Sequence, residues 1–230
     1  MEELSLIQKI AVWIVPVVFA ITVHEVAHGW VAKQLGDKTA MMLGRLTLNP
    51  IKHIDPVGTL LIPGVLLMLG GFIFGWAKPV PITWANLKQP KRDIALVSVA
   101  GPLSNLLMAI FWVLMIRLAL MLGGTINDPS MFLVYIGVAG VIINSVLMTL
   151  NMLPIPPLDG GRVLGALLPG PLSWQLSRLE PYGLPILILL LATGMLGKII
   201  GPIINTVVSI LIGFSGLSND GLRYIFNSLM

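Results

Sequence analysis

From Ile10 to Val23 the chain carries no charge and a single hydroxyl, and the run leads straight into His24-Glu25-Val26-Ala27-His28. In hydrocarbon there is no water to satisfy peptide groups, so a stretch of this kind is held as a helix that bonds its own backbone. On a helix, residues four apart share one face with their Cβ atoms about 5–6 Å apart. His24 and His28 are therefore expected side by side, where two neutral imidazoles can hold a zinc ion. Glu25 is then expected near the same point, where it can take a proton from water. Ionisable groups at membrane depth are costly and mark functional positions. The competing account has the two histidines snorkelling at a helix end or bonding core carbonyls.

The remaining 200 or so residues keep the same character. Hydrophobic residues make up 56% of the chain and charged residues 10%, against about 25% charged in soluble domains. The expected fold is an all-α, polytopic transmembrane helix bundle of about 4–6 spans, one domain over residues 1–230. There is no cysteine, so a metal must be held by nitrogen and oxygen. The net charge of +4 is spread through short loops. It reads as a topology signal in a lipid bilayer and gives no reason to expect a nucleic-acid partner. At the N-terminus Glu2 and Glu3 spoil a basic leader, and no small-x-small cleavage site follows. The first apolar run is thus expected to be a retained span.

Along the chain, spans are expected at about 6–35, 94–122 and 131–152, and at 184–214 as one bent helix or two short ones. Residues 171–182 are expected as a short interfacial helix. Residues 41–48 are expected as a short strand, and Trp76 to Pro81 as extended chain. Residues 57–77 are apolar but broken at Pro63-Gly64 and Gly70-Gly71, which argues against a straight span. Loop charge bears on the same segment. Residues 33–56 carry Lys33, Lys38, Arg45 and Lys52, residues 78–92 carry Lys78, Lys88, Lys91 and Arg92, and residues 123–130 carry neither Lys nor Arg. The positive-inside rule puts both basic loops in the cytoplasm and the N-terminus outside. Residues 57–77 must then enter and return as a re-entrant segment, tolerable only where it faces protein or a water-filled cavity.

A catalytic zinc has three protein ligands and an open position. Besides His24 and His28, the candidates are His53, the one other histidine, and Asp159. Asp159 lies in Pro156-Pro157-Leu158-Asp159-Gly160-Gly161, where prolines fix the chain's approach and glycines admit close backbone contact. The rival account of Asp159 is a cap on a helix over 160–168. In Ala100-Gly101-Pro102-Leu103-Ser104-Asn105, the Gly-x-x-x-Asn spacing lets another helix approach and places one amide in the bundle.

Three motifs, HEVAH (24–28), AGPLSN (100–105) and NMLPIPPLDGGR (151–162), occur in an order and spacing that resembles the site-2 protease family of intramembrane zinc metalloproteases, in its compact form without a PDZ or CBS domain. The resemblance covers about residues 8 to 200. It implies that His24, His28 and Asp159 ligate one zinc ion and that Glu25 is the catalytic glutamate. It further implies a substrate-binding or oxyanion role near Asn105 or Asn151, although each amide has the alternative of bonding a neighbouring helix. His53 is a further candidate for orienting substrate or the oxyanion, against a plain turn contact. The implied activity is a zinc endopeptidase that cuts transmembrane segments of other membrane proteins, in a bacterial-type cytoplasmic membrane. Helical substrates hide their peptide bonds and must unwind locally, so an exposed edge near 41–48 or 76–82 is expected to hold them by β-addition. Two rivals are a metal transporter and a catalytically silent relative that binds membrane segments. A transporter should show paired repeats and several intramembrane carboxylates, and neither is present. Intact HEVAH and Asp159 argue against a silent relative.

Overall fold

The computed structural model describes residues 4–61, 77–123 and 130–229. Four of its helices are long and apolar enough to cross a membrane: α1 (Leu6–Gln34), α3 (Pro90–Met121), α4 (Ser130–Asn151) and α8 (Met195–Gly213). Between and after them lie α2 (Thr39–Met42), α5 (Asp159–Leu167), α6 (Gly170–Ser177), α7 (Glu180–Ala192) and α9 (Asn219–Leu229).

Local chemistry sets the helix ends. Ser5 and Gln8 form a capping box that starts α1, satisfying two otherwise orphaned donors. Pro90 sits in the first turn of α3, where a missing N–H is harmless. The tail at 184–214 resolves into two helices, because Gly194 adopts φ +71° between α7 and α8, a conformation open to glycine at little steric cost.

The bundle is built around α3 and α4. A Cβ at Gly137 would overlap Ile116, and one at Gly140 would overlap the Trp112 ring. The two glycines thus let α4 close directly onto α3, as small residues do between membrane helices. Val12 of α1, Ile116, Val134 and Val138 form the buried centre of this contact. Helix α9 has no counterpart in the expected spans. Its Ile225 and Leu229 are buried against the same cluster, and the spacing of Leu222, Ile225 and Leu229 is the amphipathic signal that identifies it.

Two expectations change, the strand at 41–48 and the strand edge near 76–82. Residues 41–48 hold no strand. Residues 39–42 are one helical turn, and Gly44 turns the chain at φ +63°. No strand occurs among the described residues, so neither expected edge is a strand. Residues 77–83 are irregular chain with neither helix nor strand. Pro79 and Pro81 each lack the N–H that a ladder needs. Pro56–Leu61 forms a short π-helical turn. Residues 62–76 and 124–129 lie outside the described residues, and with them most of the re-entrant segment and the loop with Asp128.

Asp37, just past α1, ties the two basic stretches together. It is 1% exposed. One carboxylate oxygen accepts from the Thr39 N–H at 3.1 Å, from the Thr39 hydroxyl and from the Asn86 amide at 2.9 Å. The other accepts from the Thr83 N–H at 2.8 Å. The Lys88 N–H also donates to the Leu35 carbonyl at 3.3 Å. Residues 35–39 and 83–88 therefore meet beside the end of α1 and the start of α3. Burial works against the charged form of Asp37, but the hydrogen bonds from Thr39, Asn86 and Thr83 outweigh it and hold its pKa below the ordinary 3.8. A depressed carboxylate pKa contributes stability above the unfolded value and loses it as pH falls through the folded one. Amide exchange at Thr83, corrected for the intrinsic rate, is expected to be unchanged from pH 7 to pH 5 and to accelerate only as the pH drops below about 3.8.

Candidate metal centre

His24 and His28 stand on adjacent turns of α1, and both are buried. Asp159 is the first residue of α5. Leu158 precedes it as the cap position, and no side chain caps this helix. The capping account of Asp159 is thereby overturned. Its carboxylate faces the histidines instead, with Oδ2 3.3 Å from the Nε2 of His24 and 3.3 Å from the Nε2 of His28. The three side chains form a group whose ligand atoms all lie within 4.8 Å of one another.

Hydrogen bonds behind the rings decide which ring atoms face inward. His28 Nδ1 is 2.7 Å from the Val97 carbonyl, which can only accept, so Nδ1 carries the proton. His24 Nδ1 is 2.6 Å from Asn105 Oδ1. The orientation of that amide is fixed from further away. Asn144 donates to the Gly140 carbonyl at 2.8 Å and so turns its oxygen to Asn105. Asn105 Nδ2 donates to that oxygen at 3.0 Å and to the Ala20 carbonyl at 3.3 Å. Asn105 Oδ1 must then face His24, whose Nδ1 is the donor. Both Nε2 atoms consequently present lone pairs.

The two Nε2 atoms are 3.0 Å apart. With both lone pairs inward this contact is not a hydrogen bond. Asp159 Oδ2 is buried and accepts no directed hydrogen bond. Two lone pairs and a carboxylate oxygen thus converge on one point, which is repulsive unless a cation lies between them. Ligands about 2.0–2.1 Å from a tetrahedral zinc are themselves about 3.3 Å apart, and the spacings here match. Two neutral imidazoles and one carboxylate, with outer-shell partners on both imidazoles, are the donor chemistry of such a site.

Close backbone contacts bring these elements together. A Cβ at Gly101 of α3 would overlap His28 Nε2 and His24 Cε1. A Cβ at Gly160 would strike the backbone of Met152 and Leu153, so α5 folds back tightly on the end of α4. Gly101→Ala is expected to push the imidazoles out of register and to weaken metal affinity by at least about tenfold, the lower end of what lost outer-shell support costs. Competition with a chromophoric zinc chelator measures it.

The other candidates have different surroundings. Glu25 accepts a hydrogen bond at Oε2 from the Val80 N–H, at 2.7 Å. Asn105 is fully buried, and its amide is taken up by His24, Ala20 and Asn144. It is placed to orient a ligand, with no N–H left for an oxyanion. Asn151 donates to the Leu147 carbonyl at 2.9 Å. His53 is buried at the end of a short 3-10 turn, Pro50–His53, with Nε2 2.9 Å from the Thr47 carbonyl. It is not part of the metal-ligating group. Asn105→Ala is expected to free the His24 ring and to lower metal affinity or activity by about 10–100-fold, read by the same chelator competition.

Asn144, the Val97 carbonyl and the Val80 N–H have no part in the expectations drawn from the sequence. Backbone groups leave no side-chain signature. The one available hint was Pro79-Val80-Pro81, in which Val80 holds the only N–H.

Comparison with known proteins finds relatives named as zinc metalloproteases. Over 198 residues the chain is 37% identical to a Bacillus subtilis protein named "Putative zinc metalloprotease YwhC", covering 84% of this chain and 85% of that one. Over 181 residues it is 32% identical to the Mycolicibacterium smegmatis protein of the same description, Rip2, covering 78% of this chain and 66% of that one. A Methanocaldococcus jannaschii protein so described, MJ0611, is 42% identical over 69 residues, covering 30% of this chain and 31% of that one. No protein-family model matches the chain, and no solved structure does.

Proposed function

The chain belongs to the family of proteins named as zinc metalloproteases that includes YwhC and Rip2, and on that premise we propose that it is an intramembrane zinc endopeptidase of the site-2 protease type. One observation carries the reading: two inward-facing imidazole lone pairs and an unsatisfied carboxylate oxygen meet at one buried point, on the helix that carries Glu25. His24, His28 and Asp159 hold the ion. A zinc ion in that place supplies Lewis acidity, polarising the scissile carbonyl and making water acidic enough to attack near neutral pH.

The rest is the work of the chain's own groups. Glu25 takes the proton of the attacking water and passes it to the leaving amine. Asn105 and the Val97 carbonyl keep both rings in the tautomer that presents Nε2. With Asn105 taken up by His24, Asn151 is the remaining amide candidate for contact with substrate. Two of the four helices long and apolar enough to cross a membrane carry His24, Glu25, His28 and Asn105, so the substrates are transmembrane segments that reach the site within the bilayer and unwind there. The membrane is the bacterial cytoplasmic membrane, with both basic loops on its inner side. His28 lies six residues before the end of α1, about 9 Å along the axis at 1.5 Å per residue, which sets the site near the cytoplasmic face.

The test is cleavage of a synthetic transmembrane peptide in lipid vesicles by the purified protein, with and without a zinc chelator. Cuts within the apolar segment that the chelator stops are expected. Failure of the fully zinc-loaded protein to cut any such peptide would sink the reading. Topology is tested separately. Single cysteines at Lys38 and Lys88 are expected to react with an impermeant maleimide from the same side of the membrane, and labelling from opposite sides would contradict the arrangement.

A further inference from the structure

Glu25 is bonded through Val80, and the segment around Val80 is tied down at both ends. Residues 77–83 have no helix or strand of their own. At the first end the Lys78 N–H donates to the His53 carbonyl at 2.9 Å. There Arg45 Nη2 also donates to the Lys78 carbonyl at 3.1 Å and the Pro79 carbonyl at 3.2 Å. At the other end Asp37 accepts the Thr83 N–H at 2.8 Å and the Asn86 amide at 2.9 Å. Between them Val80 is 5% exposed, and its N–H meets Glu25 Oε2. Its side chain lies on Gly29, where a Cβ would come within 2.9 Å of Val80 Cγ1. Gly29 is one turn beyond Glu25 on the same face of α1. Pro79 and Pro81 remove the flanking donors, so the middle of the segment offers a single N–H.

We propose that residues 77–83 are a strap that holds the Glu25 carboxylate in place, and that Asp37 and Arg45 are positioning residues acting through it. The proposal rests on the reading of Glu25 as the proton acceptor. A carboxylate fixed at Oε2 keeps Oε1 free and aimed, whereas a free glutamate on a helix samples several rotamers. A base must be held within hydrogen-bond reach of the proton it takes. Neither Asp37 nor Arg45 contacts the reacting groups.

The test uses the full chain, zinc-loaded, in lipid. Asp37→Ala is expected to lower kcat by about tenfold or more, with KM changed less than twofold and zinc content unchanged. Amide exchange over residues 78–83 should accelerate in the same variant, in both the zinc-loaded and the stripped protein. Only a positioning role predicts rescue. Thr39 Oγ1 and Thr83 Oγ1 are 3.0 Å apart, and the chain has no native cysteine, so Thr39→Cys with Thr83→Cys can tie the strap covalently. In the Asp37→Ala background, oxidising this pair should restore kcat and reducing it should remove the gain. If Asp37→Ala does not fold, Arg45→Ala loosens the other end and is expected to lower kcat in the same KM-neutral way.

Full kcat in the loosened variants would overturn the proposal, as would loss of zinc in place of kcat. Abolition of cleavage by the oxidised pair in the otherwise unchanged protein would also overturn it, since the strap would then be a gate that must open. If the unchanged protein cuts nothing, the proposed function fails by itself. Exchange over residues 78–83 then still decides whether Asp37 holds the strap.

Discussion

Glu25→Gln is expected to lower peptide-bond hydrolysis by about 10²–10⁴-fold, the span attributed to a positioned general base, while the protein keeps its metal and its fold. The substitution removes the proton acceptor and little else. Glutamine has the same shape, and its side-chain oxygen can still accept from the Val80 N–H that now bonds Oε2. His24, His28 and Asp159 are untouched, so metal content should stay at the unchanged protein's level. Peptide cleavage followed by mass spectrometry, alongside elemental analysis of the same sample, checks both halves. Substantial proteolysis by a folded, zinc-loaded variant would remove Glu25 from the reaction.

Asp159→Ala should act at the other half of the site, by loss of the ion itself. Two imidazoles alone leave a zinc short of the three protein ligands that such sites carry. The loss in affinity should exceed the 10–100-fold that follows removal of an outer-shell partner. Helix α5 should survive, because Asp159 does not cap it and the chain's turn there is set by Gly160 and Gly161 against residues 152–156. Elemental analysis after dialysis against a weak chelator is the measurement. Full, tightly held zinc would remove Asp159 from the ligand set.

The parts of this protein that could be read from its sequence are those in which the side chain itself does the work. HEVAH places two histidines on one helical face through periodicity alone, and the three long spans at 6–34, 90–121 and 130–151 follow from apolar runs that lipid leaves no other way to fold. Asp159 was harder. Pro-Pro-Leu-Asp-Gly-Gly reads equally as a helix start, and only the third dimension, with α5 folded against the end of α4, turns its carboxylate to the histidines. Asn105 had two readings, and the tertiary chain from Gly140 through Asn144 decided for orientation of His24. Residues 41–48 mislead because their apolar content suggests a strand although Thr47 is their single β-branched residue, while residues 39–42 form a helical turn whose Thr39 is held by Asp37. The strap was out of reach, since its contact with Glu25 is made by a backbone N–H.

Zinc titrated back into chelator-stripped protein, with cleavage of a transmembrane peptide in vesicles as the readout, tests the central claim most directly. Cleavage is expected to be absent from the stripped protein, to rise in proportion to added zinc, and to level off at one ion per chain, with products mapping to a bond inside the apolar segment. Undiminished cleavage by metal-free protein, or products confined to the peptide's soluble flanks, would contradict it.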